Sequence, residues 1–355
     1  MMNILIVKLS AIGDVIHTLP ALNALRRCYP DARITWVVES AAAGLVEGHE
    51  ALDRVIISER KRWAKGLLRG PARLRNVSAA CRFIREIRDT EYDLVIDFQQ
   101  LLKSGVPVGL ARGKCKAGFD RGMQHMEHSY LFLNRRIPPV SMEIHALRRY
   151  LILLEALGIP APDVEYNLPV RRADEMAADA LLAENGMAGS RLLVAINPVA
   201  QWETKLWENR KFAALADRLI AEYGADVVFT GGPDDGPVVA DILSHMQHRA
   251  SGFAGRTSLK VLAALCRKAR FVISTDTGPM HLAAAVETPV VALFGPTAPW
   301  RTGPFGAGNR VIRTGLPCSP CFKRQCTRKD HMCMRGIRVR DVMAEIRRAG
   351  ILPEE

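Results

Sequence analysis

The sequence predicts an α/β protein made of two doubly wound parallel sheets in tandem. Short apolar runs of strand length alternate with amphipathic helical segments. A proline-marked stretch at 158–169, with Pro160, Pro162 and Pro169, interrupts that alternation, which then restarts. The chain has 355 residues, enough for two domains of ordinary size.

In the first half, residues 3–9 are an apolar strand broken only by Lys8, and Ser10-Ala11-Ile12-Gly13-Asp14 is the turn after it. A helix follows with Val15, Leu19, Leu22 and Leu25 on one face, ending near Tyr29-Pro30. Pro20 inside that pattern predicts a kink or a late, irregular start. Arg33–Glu39, 55–57 and 92–98 are further strands, the last running into Gln99-Gln100-Leu101-Leu102-Lys103-Ser104. This half is expected to be one domain, 1–165.

The second half, 170–337, repeats the scheme. Residues 192–197 are a strand, 208–223 a helix with Phe212, Leu215, Leu219 and Ile220 apolar, and 226–230 a strand ending in Gly231-Gly232-Pro233. A helix at 258–268 is capped by Thr257 or Ser258. Residues 271–297 then read strand, tight turn, short helix, strand. Asp276 or Thr277 can cap that helix, Pro279 suits its first turn, and Thr288-Pro289 ends it. Free N–H groups there would lie just beyond a strand's carboxyl end, where open α/β sheets bind phosphorylated ligands. An ordinary, well-capped βαβ unit has the same signals. A last helix, within 338–355, bears Val342, Met343 and Ile346 opposite a charged face.

Composition is that of a globular protein, 48% hydrophobic and 24% charged. The net charge of +12 points to an anionic partner: nucleic acid, a membrane surface or a phosphorylated substrate. The N-terminus lacks a cleavable leader pattern and no run reaches the length of a membrane span. The protein is therefore expected in the cytoplasm, touching a membrane at most from that side. No zinc-finger, helix-turn-helix or RNA-binding signature supports a nucleic-acid partner.

Several residues are placed for chemistry. Asp14 sits in the first strand-to-helix turn, where a carboxylate can act as a general base or merely cap the helix. Gly13 is the permissive turn residue, and a single glycine there makes no dinucleotide fingerprint. Lys205, in the loop from Asn197 to Trp207, can neutralise a diphosphate leaving group or lie idle at the surface. Asp234 can accept from ribose hydroxyls or cap a helix. His281, one turn after Thr277, can meet phosphate or sugar or pack on the sheet.

Between residues 60 and 85 stand Arg60, Lys61, Arg62, Lys65, Arg69, Arg73, Arg75, Arg82 and Arg85 without an acidic residue among them, interleaved with Trp63, Leu67, Leu68 and Leu74. This suits an anionic lipid surface or a phosphorylated acceptor, or else a solvated helix face. Of eight cysteines, Cys28, Cys81, Cys115 and Cys266 are scattered, whereas Cys318, Cys321, Cys326 and Cys333 cluster beside His331. That cluster reads as a structural zinc site, less readily an iron–sulfur site, or as reduced thiols in a surface loop.

Two segments, KLSAIGDVIHTLPAL and DTGPMHLAAAVETPVVALFGPT, resemble the bacterial heptosyltransferases of glycosyltransferase family nine. They stand near opposite ends of the chain in the order that family requires. The resemblance implies a GT-B fold: two Rossmann-like domains facing a central cleft, with the last helix returning toward the first domain. It implies ADP-heptose as donor, a lipid A–Kdo lipopolysaccharide precursor as acceptor, inversion at the anomeric carbon and no catalytic metal. It implies that Asp14 is the general base. Lys205, Asp276, Thr277, Gly278 and His281 would bind the donor, with Gln201, Asp234 and Thr257 as outer contacts. Ser10, Gly13, Arg60, Arg62, Trp63 and Lys103 would serve the acceptor. Arg60-Lys61-Arg62-Trp63 and the segment 97–104 resemble the heptosyltransferase I subgroup, which adds to Kdo, at the inner face of the inner membrane. The cysteine-rich loop looks like other branches, leaving a heptosyltransferase II type or another core-sugar acceptor open. A nucleotide-sugar epimerase and a metal-stabilised nucleic-acid-binding protein are the remote alternatives.

Overall fold

The computed structural model of the chain describes residues 1–67, 73–123 and 127–352. Leu68 and Arg69 of the basic segment fall outside the described residues, as do the side chains of Lys65, Leu67 and Arg73. The chain divides into two units, Met1–Pro169 and Val170–Glu355.

In the first unit the elements run β1 (Asn3–Val7), α1 (Ile12–Cys28), β2 (Arg33–Glu39), α2 (Ser40–Ala43), β3 (Arg54–Ser58), α3 (Arg60–Leu67), α4 (Arg73–Arg88), β4 (Glu91–Asp97), α5 (Leu102–Leu110), β5 (Arg112–Phe119), β6 (Arg135–Ile137) and α6 (Ala146–Glu155). The strands form one six-stranded sheet in the order β3-β2-β1-β4-β5-β6, with parallel pairing throughout. The order reverses between β1 and β4, where Ile4 pairs with Leu94 and Val7 with Asp97. Ile4, Leu5, Ile6 and Val7 are wholly buried, as a central parallel strand with both faces covered requires.

Helix α1 starts at once after its turn and runs through Pro20. Ala11 is its N-cap, so Asp14 is the third helical residue rather than the cap, and its Oδ2 accepts the Ala11 N–H at 3.1 Å. Residues 159–171 carry no regular structure. They are pinned to the first unit by the Asn23 side chain, which donates to the Glu165 carbonyl at 2.6 Å, and by the Arg27–Glu165 ion pair at 2.8 Å.

The second unit continues with α7 (Arg172–Glu184), β7 (Leu193–Asn197), α8 (Asn209–Tyr223), β8 (Asp226–Phe229), α9 (Gly236–Ser244), β9 (Ser251–Gly252), α10 (Leu259–Lys268), β10 (Phe271–Thr275), α11 (Gly278–Ala285), β11 (Val290–Leu293), α12 (Pro299–Thr302), β12 (Arg310–Ile312), α13 (Met332–Arg335) and α14 (Val339–Arg348). Its six-stranded parallel sheet runs β12-β11-β10-β7-β8-β9. Counted from each unit's own first strand, this is the order of the first sheet, and the reversal falls between β7 and β10.

Helix α8 buries Phe212, Leu215 and Leu219 and ends at Gly224, whose φ of 64° is the left-handed conformation that glycine adopts without penalty. Ser258, not Thr257, caps α10: its hydroxyl accepts the Val261 N–H at 3.2 Å. Helix α14 buries Val342, Met343 and Ile346 in the core of the second unit with Phe212, Leu215 and Leu219. Among the described residues no helix is long and apolar enough to cross a membrane.

Candidate active site

Two sites form, one at each sheet's reversal point, where loops from neighbouring strands splay apart and leave a crevice. In the second unit, the loop after β7 brings Lys205 against the loop after β10. The Lys205 ammonium lies 2.7 Å from Asp276 Oδ2 and donates to the Asp276 carbonyl at 3.2 Å. The Thr297 hydroxyl donates to the same carboxylate oxygen at 2.6 Å. Lys205 Nζ also sits 4.7 Å from the centre of the Trp202 ring. Behind this pair, Thr275 Oγ1 donates to the Val199 carbonyl at 2.8 Å, tying the two loops together. Thr277 is the N-cap of α11 with extended backbone, and its side chain makes no capping bond. At the start of α11 the Met280 N–H donates to the Thr277 carbonyl at 3.1 Å and Pro279 has no N–H, which leaves the Thr277 and Gly278 N–H groups without a described partner, next in the chain to the Asp276 that holds Lys205.

In the first unit the crevice is a cavity of about 160 Å³ lined by Lys8, Asp14, Gln99, Met142, Arg149 and Tyr150, among others. Lys8 is 2% exposed. Its ammonium donates to the Tyr150 hydroxyl at 2.6 Å and to the Phe98 carbonyl at 3.1 Å. The Tyr150 hydroxyl in turn donates to Asp14 Oδ1 at 3.4 Å. Burial drives the Lys8 ammonium down to about 8; the carboxylates of Asp14 and Asp97 pull it back up and lose to desolvation. Burial, reinforced by the Asp14 charge, pushes the Tyr150 phenol well above its ordinary value, so it remains a donor at any working pH.

Asp97 is fully buried, and burial raises its carboxyl above the ordinary range despite the Gln99 and Gln100 N–H groups that it accepts. The Gln99 side-chain oxygen accepts from Leu9 and Ser10 N–H at 3.1 and 2.9 Å, fixing the turn that carries Asp14. At the end of β2 the buried Glu39 carboxylate pairs with Arg60 at 3.3 Å and Lys61 at 3.4 Å. Lys103 donates to the Ser10 hydroxyl, and burial lowers its ammonium's value while Glu39 raises it.

A family model described as glycosyltransferase family 9 (heptosyltransferase) matches residues 80–332. The chain belongs to this family. It is 36% identical over 327 residues to lipopolysaccharide heptosyltransferase 1 of Pseudomonas aeruginosa, covering 92% of this chain and 88% of that one. Its structure superposes on the Escherichia coli heptosyltransferase WaaC solved with ADP, with a TM-score of 0.76 at 25% identity, covering 98% of this chain and 100% of the other. The same enzyme solved with ADP-2-deoxy-2-fluoro heptose gives a TM-score of 0.73 at 26% identity, covering 98% and 99%.

This family 9 glycosyltransferase brings together most of the residues its sequence singled out. Lys205, Asp276, Thr277 and Gly278 converge on one crevice, with His281 buried one turn along α11. Gln201 is exposed in the same loop as Lys205. Asp234 is exposed beyond β8, and the carboxylate that caps the turn there belongs to Asp235, which accepts the Gly232 N–H at 2.7 Å. Thr257 is half-buried just before α10. No described bond joins Asp234 or Thr257 to the Lys205–Asp276 pair.

In the first unit Ser10, Gly13, Asp14 and Lys103 gather at the ends of β1 and β4, and Arg60 joins through Glu39. Arg62 instead turns to Glu59 at 3.1 Å. Trp63, expected at the acceptor, is buried against Phe83 with ring centres 5.1 Å apart, in the core with Ile56 and Ile87. The four clustered cysteines are free thiols. Among the described residues no three thiol, imidazole or carboxylate groups stand as a metal ion needs. Sequence reasoning missed Tyr150, Glu39, Trp202 and Thr297. It read Lys8 only as an interruption, although a lysine inside an otherwise buried parallel strand is itself a signal.

Proposed function

We propose that this glycosyltransferase moves L-glycero-D-manno-heptose from ADP-heptose to the Kdo of the lipopolysaccharide inner core, with inversion and without a catalytic metal. The observation that carries the reading is the Lys205 ammonium at the sheet's reversal point beside the open start of α11. Positive charge and free N–H groups in one crevice suit a diphosphate leaving group. The relatives' names supply the sugar, and the ADP complexes of WaaC supply the nucleotide.

In this reading Asp14 removes the proton from the acceptor hydroxyl as that oxygen attacks the anomeric carbon from the face opposite ADP. The bond from that carbon to the diphosphate oxygen breaks, and its electron pair leaves on the β-phosphate. Lys205 and the N–H groups at Thr277 and Gly278 stabilise that growing charge. One such preorganised donor is worth about 3 kcal/mol of barrier. Arg60, Lys61 and Lys103 draw in the anionic acceptor. On α4, Leu74 is 82% exposed and Val77 41% exposed, beside the exposed Arg75, which favours docking on an anionic inner-leaflet surface.

The test is incubation with labelled ADP-heptose and acceptors ending in Kdo or in heptose, with and without EDTA. Transfer to the Kdo-terminated acceptor, unchanged by EDTA and abolished in Asp14→Asn while ADP still binds, is the expected result. Transfer only to a heptose-terminated acceptor would move the protein to a heptosyltransferase II type. An altered sugar without transfer would make it an epimerase. Metal analysis of the purified protein tests zinc on the cysteine loop separately: one equivalent supports it and none removes it.

A further inference from the structure

The cysteine-rich loop finds no use in the proposal above, yet it is built directly onto the crevice that holds Lys205. Its Cys321 and Phe322 N–H groups both donate to the Pro296 carbonyl, at 3.0 and 2.8 Å. The Ser319 hydroxyl donates to the Gly295 carbonyl. A side chain at Gly295 would meet Met334 Sδ at 2.6 Å and Cys333 Sγ at 3.1 Å, so the end of the loop closes tightly on the chain leaving β11. From the other side the Thr204 hydroxyl donates to the Lys323 carbonyl at 2.9 Å, and Thr204 is the neighbour of Lys205. The loop is therefore clamped between the segments that carry Thr297 and Lys205.

What those anchors present is a pair of exposed cations, Lys323 and Arg324. The Arg324 guanidinium lies 5.4 Å from the centre of the Trp202 ring, the same ring that Lys205 approaches to 4.7 Å. Both cations lie within cation–π reach of the one indole ring. Their partners differ. Lys205 is already matched by Asp276, whereas the structure describes no ion pair for Arg324. A nucleoside diphosphate brings several negative charges, more than a lysine already paired with a carboxylate can balance. A guanidinium also offers two parallel N–H donors that fit phosphate oxygens.

We infer that Arg324, carried on the cysteine-rich loop, is a further ligand of the diphosphate of the nucleoside-diphosphate donor. This rests on the nucleotide reading of the Lys205 crevice. The loop then has a function whatever its thiols bind: Cys321 and Cys326 bracket the segment that sets where Arg324 stands.

The test is calorimetric titration of ADP and of AMP into the full-length protein and its variants. Arg324→Ala should weaken ADP about tenfold, the loss of one charge-assisted contact, and AMP by much less. Arg324→Lys should restore part of the affinity. Arg328→Ala, which removes a cation from the same loop that pairs with Asp330 at 2.9 Å, should bind ADP as wild type does. Thermal melts confirm that the variants are folded. A folded Arg324→Ala protein that binds ADP within twofold of wild type overturns the inference. A wild-type protein that binds no ADP sinks the nucleotide reading beneath it.

Discussion

The ammonium of Lys205 lies 2.7 Å from a carboxylate oxygen of Asp276, and the carboxylate side of the pair is 6% exposed. Removing the lysine leaves that carboxylate with the Thr297 hydroxyl as its described side-chain partner. Lys205→Ala should therefore cost about 3 kcal/mol of folding stability as well as ADP affinity. Asp276→Asn strands the Lys205 ammonium instead, but that side is 16% exposed against 6% for the carboxylate and keeps the Trp202 ring 4.7 Å away, so it should cost less. Urea unfolding distinguishes the two, and an unchanged midpoint in Lys205→Ala would show the pair to be screened by water.

Tyr150 joins Lys8 to Asp14 through one hydroxyl. Tyr150→Phe keeps the ring, which lies edge-on to Phe98 at 5.7 Å, and deletes only that oxygen. A buried ammonium then loses an acceptor, and stability should fall by about 2 kcal/mol. Asp14 loses the donor that orients it, so under the proposed roles turnover should drop while ADP affinity, assigned there to the Lys205 crevice, stays at the wild-type value. Steady-state kinetics beside ADP titration checks this; a matching loss of ADP affinity would refute it.

The Lys8 ammonium sits at about 8, below the ordinary 10.5, because burial outweighs Asp14 and Asp97, with Arg149 and Lys103 adding to the depression. Between those two values the unfolded chain binds the proton and the folded chain does not, so stability rises with pH across that window. Below about 8 the fold carries the cost of a buried charge, roughly 3 kcal/mol for this shift. Urea midpoints at pH 7.5 and pH 10 should show that rise in wild type, and it should be missing in Lys8→Met. Equal pH slopes in the two proteins would rule Lys8 out as its source.

Among the thiols, Cys326 accepts N–H groups from His331, Arg328 and Lys329, which lower its value. Burial raises Cys333 and drives Cys266 up to about 12. Iodoacetamide at neutral pH should therefore label Cys326 ahead of those two, since the thiolate is the reactive form. Mass spectrometry of a time course reads the order, and early labelling of Cys266 would contradict it.

The sequence displayed the central strands plainly, because β1, β2, β4, β7 and β10 are near-continuous apolar runs closed by turn residues. It hid β5: RGKCKAGF alternates basic and small residues, and only its last three positions are buried. The loops carrying Asp14, Lys205 and Asp276 were legible for the same reason as the strands, since each follows directly from a recognisable strand end. Tyr150 was not, because it stands 142 residues from Lys8 on a helix whose apolar face explains it just as well as core. Trp63 misled in the opposite direction. Its flanking arginines and lysine read as surface, yet one face of α3 rests on Phe83 and takes the indole inside.

Each unit has the same strand order, its own buried cluster and its own reversal point. Damage to one core need not spread to the other's chemistry, and inheritance can act on the halves separately. A change in the cysteine-bearing loop, which the Thr204 hydroxyl holds beside Lys205, can alter the surroundings of that crevice while the Lys8–Tyr150–Asp14 chain of the first unit keeps its own geometry.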